Sequence, residues 1–152
     1  MTFSDMIAVG RISDPTLHPD GRHLAYVRAL HDPQENRVRR TIMLADLETQ
    51  EITDLTPGDH NDTSPAWSAD GRYLAFVSNR EKGDQLWLLP YGAGGEARRL
   101  TAGPGGITAP VWAPDSRRIA CSRKVSEPEL SAEDPDAVVE DDAKRAELRA
   151  RA

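Results

Sequence analysis

The side chains able to do covalent or metal chemistry are few: one thiol, Cys121, four imidazoles at His18, His23, His31 and His60, and a scatter of serines. A serine nucleophile of the α/β-hydrolase kind sits in Gly-x-Ser-x-Gly, because the sharp strand-to-helix turn leaves no room for side chains beside it. No serine here has that setting, and Ser68 and Ser78 read as parts of repeated strands. The histidines show no His-x-x-x-His pair for one helix face, and no second cysteine completes a zinc site, so no metal ligation is expected. The stretch "DHNDTS" alternates Asp59, Asn61 and Thr63, with Asp70 eleven residues after Asp59, in a faint echo of a calcium loop. It lacks the turn glycine and the closing glutamate, and reads as a connecting loop. "GAGGE" and "GPGG" lack the Gly-Lys-Ser/Thr ending of a phosphate loop and read as turns. The sequence therefore assigns no catalytic, cofactor-binding or metal residue, and implies no cofactor.

The residues that do recur belong to a repeat. "DPTLHPDGRHLAYVRAL", "SPAWSADGRYLAFVSNR" and "APVWAPDSRRIACSRKV" superpose without gaps, aligning Pro15, Pro65 and Pro110, then Leu17, Trp67 and Trp112, then Asp20, Asp70 and Asp115. Downstream, "TIMLADLETQEITDLT" at 41–56 lies over "LWLLPYGAGGEARRLT" at 86–101 at an offset of 45, which leaves five extra residues around "HDPQENRVRR". Insertions of that kind belong in loops.

Asp-Gly at 20–21 and 70–71, between short apolar runs, predicts a tight hairpin, since glycine accepts positive φ and aspartate bonds the turn backbone. Asp115-Ser116 replaces it in the third copy and predicts a looser or strained turn. "YLAFVS" is apolar on both faces, as a strand between two layers must be. "QLWLLPY" and "ARRLT" (in the first copy "TIMLAD" and "EITDLT") supply two more strands. Four short antiparallel strands per unit of about 45 residues predict an all-β fold, a partial β-propeller of two to three blades, with repeats near 13–56, 63–101 and 108–125. Cys121 falls on the position of Tyr26 and Phe76, and is expected as a buried hydrophobe rather than a reactive thiol. Two near-complete blades and one hairpin cannot close a ring, so exposed edges and self-association are expected.

The chain of 152 residues is 38% hydrophobic and 29% charged, with one cysteine and no apolar run long enough to span a membrane. Its start, "MTFSDMIAVGR", lacks a basic region followed by an apolar one; no signal peptide is read, and the cytoplasm is the expected compartment. Ser4 or Asp5 could cap a short helix through Ala8. Residues 1–125 hold 15 Lys and Arg against 16 Asp and Glu, and residues 126–152 hold 4 against 9. That acidic segment is expected to be disordered or partly helical, with "AKRAELRARA" suiting the last turns of a helix over roughly 137–152. The charge balance disfavours nucleic-acid binding, and the cluster of Arg37, Arg39 and Arg40 reads as a solvated loop.

The blade phrase at 64–101 resembles the WD-like propeller repeat shared by the TolB protein and the prolyl oligopeptidase family of serine peptidases. The opening "FSDMIAVGRISDPTLHPDGRHLAYV" is similar to the start of acylaminoacyl-peptidase and dipeptidyl-aminopeptidase members, and the acidic stretch after the third hairpin resembles the charged insertion of that branch. The resemblance implies an amino-terminal propeller that limits peptide access to an α/β-hydrolase domain carrying a Ser-Asp-His triad. No such triad lies in these residues, so on this reading the chain alone is inactive and its peptide substrates meet the hydrolase domain. A TolB-like scaffold that binds proteins is the alternative.

Overall fold

The computed structural model describes residues 10–81, 83–123 and 148–149. Three antiparallel sheets follow one another along the chain. The first holds β1 (Arg11–Leu17), β2 (His23–Asp32), β3 (Arg37–Asp46) and β4 (Ile52–Asp54), in that order. The second repeats it with β5 (Asp62–Trp67), β6 (Tyr73–Ser78), β7 (Gln85–Pro90) and β8 (Arg98–Arg99). In the third, β10 (Arg118–Arg123) lies between β9 (Ile107–Trp112) and β11 (Leu148–Arg149). This is the open, partial propeller that the repeat predicts. The short helix expected near Ser4 lies outside the described residues. So does most of the helix expected over 137–152, apart from Leu148 and Arg149, which are strand.

Burial explains why the middle strands are apolar on both sides. Successive side chains of a strand point to opposite faces. Leu74, Phe76 and Trp87 of the second sheet pack with Ala25, Val27 and Ile42 of the first. The intervening Ala75, Val77, Leu86 and Leu88 pack with Ile107 and Ile119 of the third. One sheet thus feeds two cores, and the pattern of alternation, not apolar content alone, decides which.

Two details depart from the ungapped overlay. Leu24 pairs with Ala45 in the first sheet and Leu74 with Leu89 in the second, so the third strands align at an offset of 44, one residue from the expected 45. The backbone N–H groups of Ile42 and Leu86 mark the same position, each donating to a threonine hydroxyl, Thr56 Oγ1 at 3.1 Å and Thr101 Oγ1 at 2.9 Å. The turn between third and fourth strands is one residue longer in the second sheet, which restores the offset at the threonines. A slip of one residue exchanges the faces of a strand, and the corrected alignment places Met43 opposite Trp87 rather than opposite Leu88.

The second detail is a bulge that the repeat carries three times. The register shifts between Ser13 and Thr16, between Thr63 and Ala66, and between Ala120 and Ser122. Asp14, Ser64 and Ala109, each preceding the shared proline, take φ of 51°, 52° and 24°. The extra residue bends the first strand of each blade and strengthens its twist.

Candidate functional site

The first hairpin turns line one end of the sheets, and there the blades exchange polar contacts. Each turn is closed by its aspartate: Asp20 Oδ1 accepts the N–H groups of Arg22 and His23, Asp70 Oδ1 that of Arg72, and Asp115 Oδ1 that of Arg117. Gly21 and Gly71 take φ of 72°, as the Asp-Gly signal requires, and Ser116 takes 56° in the third turn. His18 Nε2 lies 2.9 Å from the Gly71 carbonyl, and the Asp70 N–H donates to Ser116 Oγ at 2.9 Å. The three turns are therefore linked in series.

The first turn carries more chemistry than the others. His18, Asp20 and His23 bring three ligand-type atoms within 4.8 Å of one another. Asp20 Oδ1 lies 3.0 Å from His18 Nδ1, and Asp20 Oδ2 lies 2.6 Å from His23 Nδ1. Burial pushes the Asp20 carboxyl up, but the N–H groups of Arg22 and His23 and both imidazoles outweigh it and hold the group well below the usual carboxylate range. Asp46 stands beside them, gripped by Arg22 through Nε at 3.0 Å and Nη2 at 2.5 Å. That guanidinium holds the Asp46 carboxyl far below its ordinary value. His18 meets the Trp67 ring edge-on at 4.7 Å between centroids and the Tyr91 ring at 5.2 Å, so the imidazole sits in the joint between two blades.

The opposite end of the same joint is ionic. Asp62 is fully buried and receives Arg80 Nη2 at 3.0 Å, while the guanidinium lies over the Phe76 and Trp87 rings at 5.2 and 4.8 Å. Nothing in the repeat marks this pair, since the equivalent of Asp62 is Ile12 in the first copy and Ile107 in the third. The calcium-like stretch resolves into loop contacts. Asp59 pairs with Arg37 and Arg39, Asn61 Oδ1 accepts the Arg40 N–H, and Asp70 serves its own turn. Arg37, Arg39 and Arg40 stand at the start of β3 rather than in a loop; Arg37 and Arg39 pair with Asp59 at the surface, and Arg40 is exposed.

Ser68 and Ser78 are fully buried among strand contacts. Ser68 Oγ donates to Asp70 Oδ1 at 2.6 Å and accepts the Tyr73 N–H at 3.0 Å. Cys121 is half-buried against the core shared by the second and third sheets, and burial pushes its thiol up. "GPGG" forms, with Gly83, Asp84 and Arg99, the wall of a shallow cavity where the second sheet passes to the third. His18 and His23 do not have the helical His-x-x-x-His spacing that marks a metal pair in a sequence. Five residues apart across a hairpin turn, they meet around the turn aspartate.

Fold and turns together define a segment of a β-propeller built from WD-like blades. The chain belongs to the TolB beta propeller domain family, with the match covering residues 6–140. It is 37% identical over 131 residues to the "Uncharacterized peptidase YuxL" of Bacillus subtilis strain 168, spanning 85% of this chain and 20% of that protein. To dipeptidyl-peptidase 5 of Porphyromonas gingivalis it is 30% identical over 119 residues, spanning 78% of this chain and 17% of that one. The solved acylaminoacyl peptidase of Pyrococcus horikoshii superposes with a TM-score of 0.63 at 24% identity, over 80% of this chain and 19% of that chain, a likeness of fold. The chain spans about a fifth of the length of these relatives. Among the described residues no helix is long and apolar enough to cross a membrane.

Proposed function

We propose that this chain is the propeller segment of a serine peptidase of the prolyl oligopeptidase type, in which the propeller screens peptides on their way to a hydrolase domain. The observation that carries the reading is the 37% identity to a peptidase over 131 residues, most of this chain, supported by 30% identity to a dipeptidyl-peptidase over a similar span. The chemistry of the described residues is consistent with a non-catalytic part. Ser68 and Ser78 are committed to strand and turn bonds, and Cys121 is a raised, half-buried thiol. The substrates proposed are short peptides, processed by release of dipeptides or acylated amino-terminal residues. A propeller used as a protein-binding scaffold is the other reading, and the family's TolB description is what favours it.

The source gene decides between them. An in-frame Gly-x-Ser-x-Gly followed by an aspartate and a histidine supports the peptidase reading; further blades without that order, or an immediate stop, overturn it. Screening is then tested on the whole gene product by comparing hydrolysis of a dipeptidyl or N-acyl-aminoacyl anilide with that of a folded protein. Cleavage of the small substrates alone is expected, and equal cleavage of both removes the screening role.

A further inference from the structure

We propose that His18, Asp20 and His23 form a binding site for one divalent transition metal of the zinc class, placed at the turn end of the joint between the first and second blades. The argument begins with proton bookkeeping. The Gly71 carbonyl only accepts, so His18 Nε2, 2.9 Å away, carries a proton and donates it. In the neutral imidazole Nδ1 is then a bare lone pair. That lone pair takes the Asp20 N–H at 3.2 Å and also lies 3.0 Å from the carboxylate oxygen Asp20 Oδ1. Two acceptors at that distance repel unless a proton or a metal ion sits with them, and a metal would take the lone pair in place of the Asp20 N–H.

The second imidazole is turned the same way. His23 Nδ1 faces Asp20 Oδ2 at 2.6 Å, while its Nε2 points toward Asp46 Oδ2 at 3.9 Å. Both rings therefore present Nδ1 to one carboxylate, and His18 Nε2 has the Gly71 backbone carbonyl as its outer acceptor. An outer acceptor on the far nitrogen is what orients a metal-bound histidine and raises its basicity. Two imidazoles and a carboxylate suit zinc and its neighbours rather than magnesium or calcium, which prefer oxygen. Among the described residues Arg22 is the cation beside the cluster, and its charge is taken up by Asp46 and Glu48, the latter at 2.9 Å.

The turn itself does not need the imidazoles. The second copy builds it with Ser68, Asp70 and Tyr73, and the third has Ala113, Asp115 and Arg118 at these positions. Those copies also supply the test variants. The metal-stripped 152-residue chain is titrated with zinc chloride by calorimetry, against magnesium chloride as control, and its melting is followed in parallel. One zinc per chain and a raised melting temperature are expected, with no response to magnesium. His18→Ser and His23→Tyr, which transplant the second copy's residues, should each weaken zinc at least tenfold, and the double variant should not bind. Cobalt(II) added to the unmodified chain gives a readout independent of the variants' folding, with visible absorption bands expected at one equivalent. Absence of zinc binding and of cobalt bands overturns the site. So does equal binding by the folded double variant, which would leave a proton as the cation in the cluster.

Discussion

Ser116 shows how one side chain can serve two blades. It takes a left-handed conformation that glycine holds in the other two turns, and its hydroxyl accepts the Asp70 N–H from the neighbouring blade. Ser116→Ala keeps the backbone cost and loses the bond, so a loss of about 1 kcal/mol is expected in urea unfolding. Ser116→Gly loses the same bond but relieves about 1 kcal/mol of left-handed strain, and should lie close to the unmodified chain. A glycine variant less stable than the alanine variant would show that the backbone is not strained. Asp70 brings pH into the same turn. Burial pushes its carboxyl up, but the Ser68 hydroxyl and the N–H and guanidinium of Arg72 prevail and hold it at about 2. The N–H of Arg117 lowers Asp115, and those of Glu35 and Gln34 lower Asp32. Because an unfolded aspartate titrates near ~3.9, these groups favour the folded state above that pH, and the contribution fades as pH falls toward 2. Acid melts should show stability level from pH 6 to 5 and declining below pH 4. Asp70→Asn should flatten part of that decline. For Cys121 the raised thiol predicts alkylation by iodoacetamide at neutral pH slower than that of a free cysteine peptide, measured by mass spectrometry.

At the scale of the element, the second sheet is the keystone of both cores. Phe76 is fully buried in the first joint and supports the Arg80 guanidinium on its ring. Phe76→Ala should cost about 3–5 kcal/mol, whereas Val38→Ala at the exposed end of β3 should stay within about 0.5 kcal/mol; denaturant midpoints distinguish them. These elements were legible in the sequence to different depths. The Asp-Gly turns and the apolar-on-both-sides second strand could be read because each rests on local chemistry, a positive φ or an unbroken apolar run. The register of the third strand could not. "TIMLAD" and "LWLLPY" are both apolar throughout, so nothing local marks a slip of one residue, and the change of turn length that causes it lies downstream. The bulges were hidden for a different reason. Asp14, Ser64 and Ala109 share no side-chain type, and only the proline after each is constant. The imidazole pair and the Asp62–Arg80 pair are each made within one blade by residues that occur in a single copy, which an alignment of repeats averages away.

At the scale of the whole molecule, the outer sheets show what the middle one hides. Leu17 is 52% exposed, while its equivalent Trp67 is buried against the first sheet at 8%. Val111, on the third sheet, is 63% exposed. These are the faces a repeat of the same design covers with another blade, so the 152-residue chain on its own is expected to pack them against a second copy. Sedimentation velocity of the 152-residue chain should show association that rises with concentration. Leu17→Glu combined with Val111→Lys should reduce it. A single monomeric species at every concentration would remove that expectation.

The series of turn contacts has a consequence for how the gene could have grown. If the blades were identical tiles, any one could follow any other, and duplication could shuffle them freely. The handover from turn to turn is different at each seam: imidazole to carbonyl between the first and second, amide to hydroxyl between the second and third. A copy of the second blade placed third would present Gly71 where the Ser116 hydroxyl is needed. A copy placed first would present Ser68 in place of the His18 ring. The turns act as addresses, and each blade is fitted to its own place in the order.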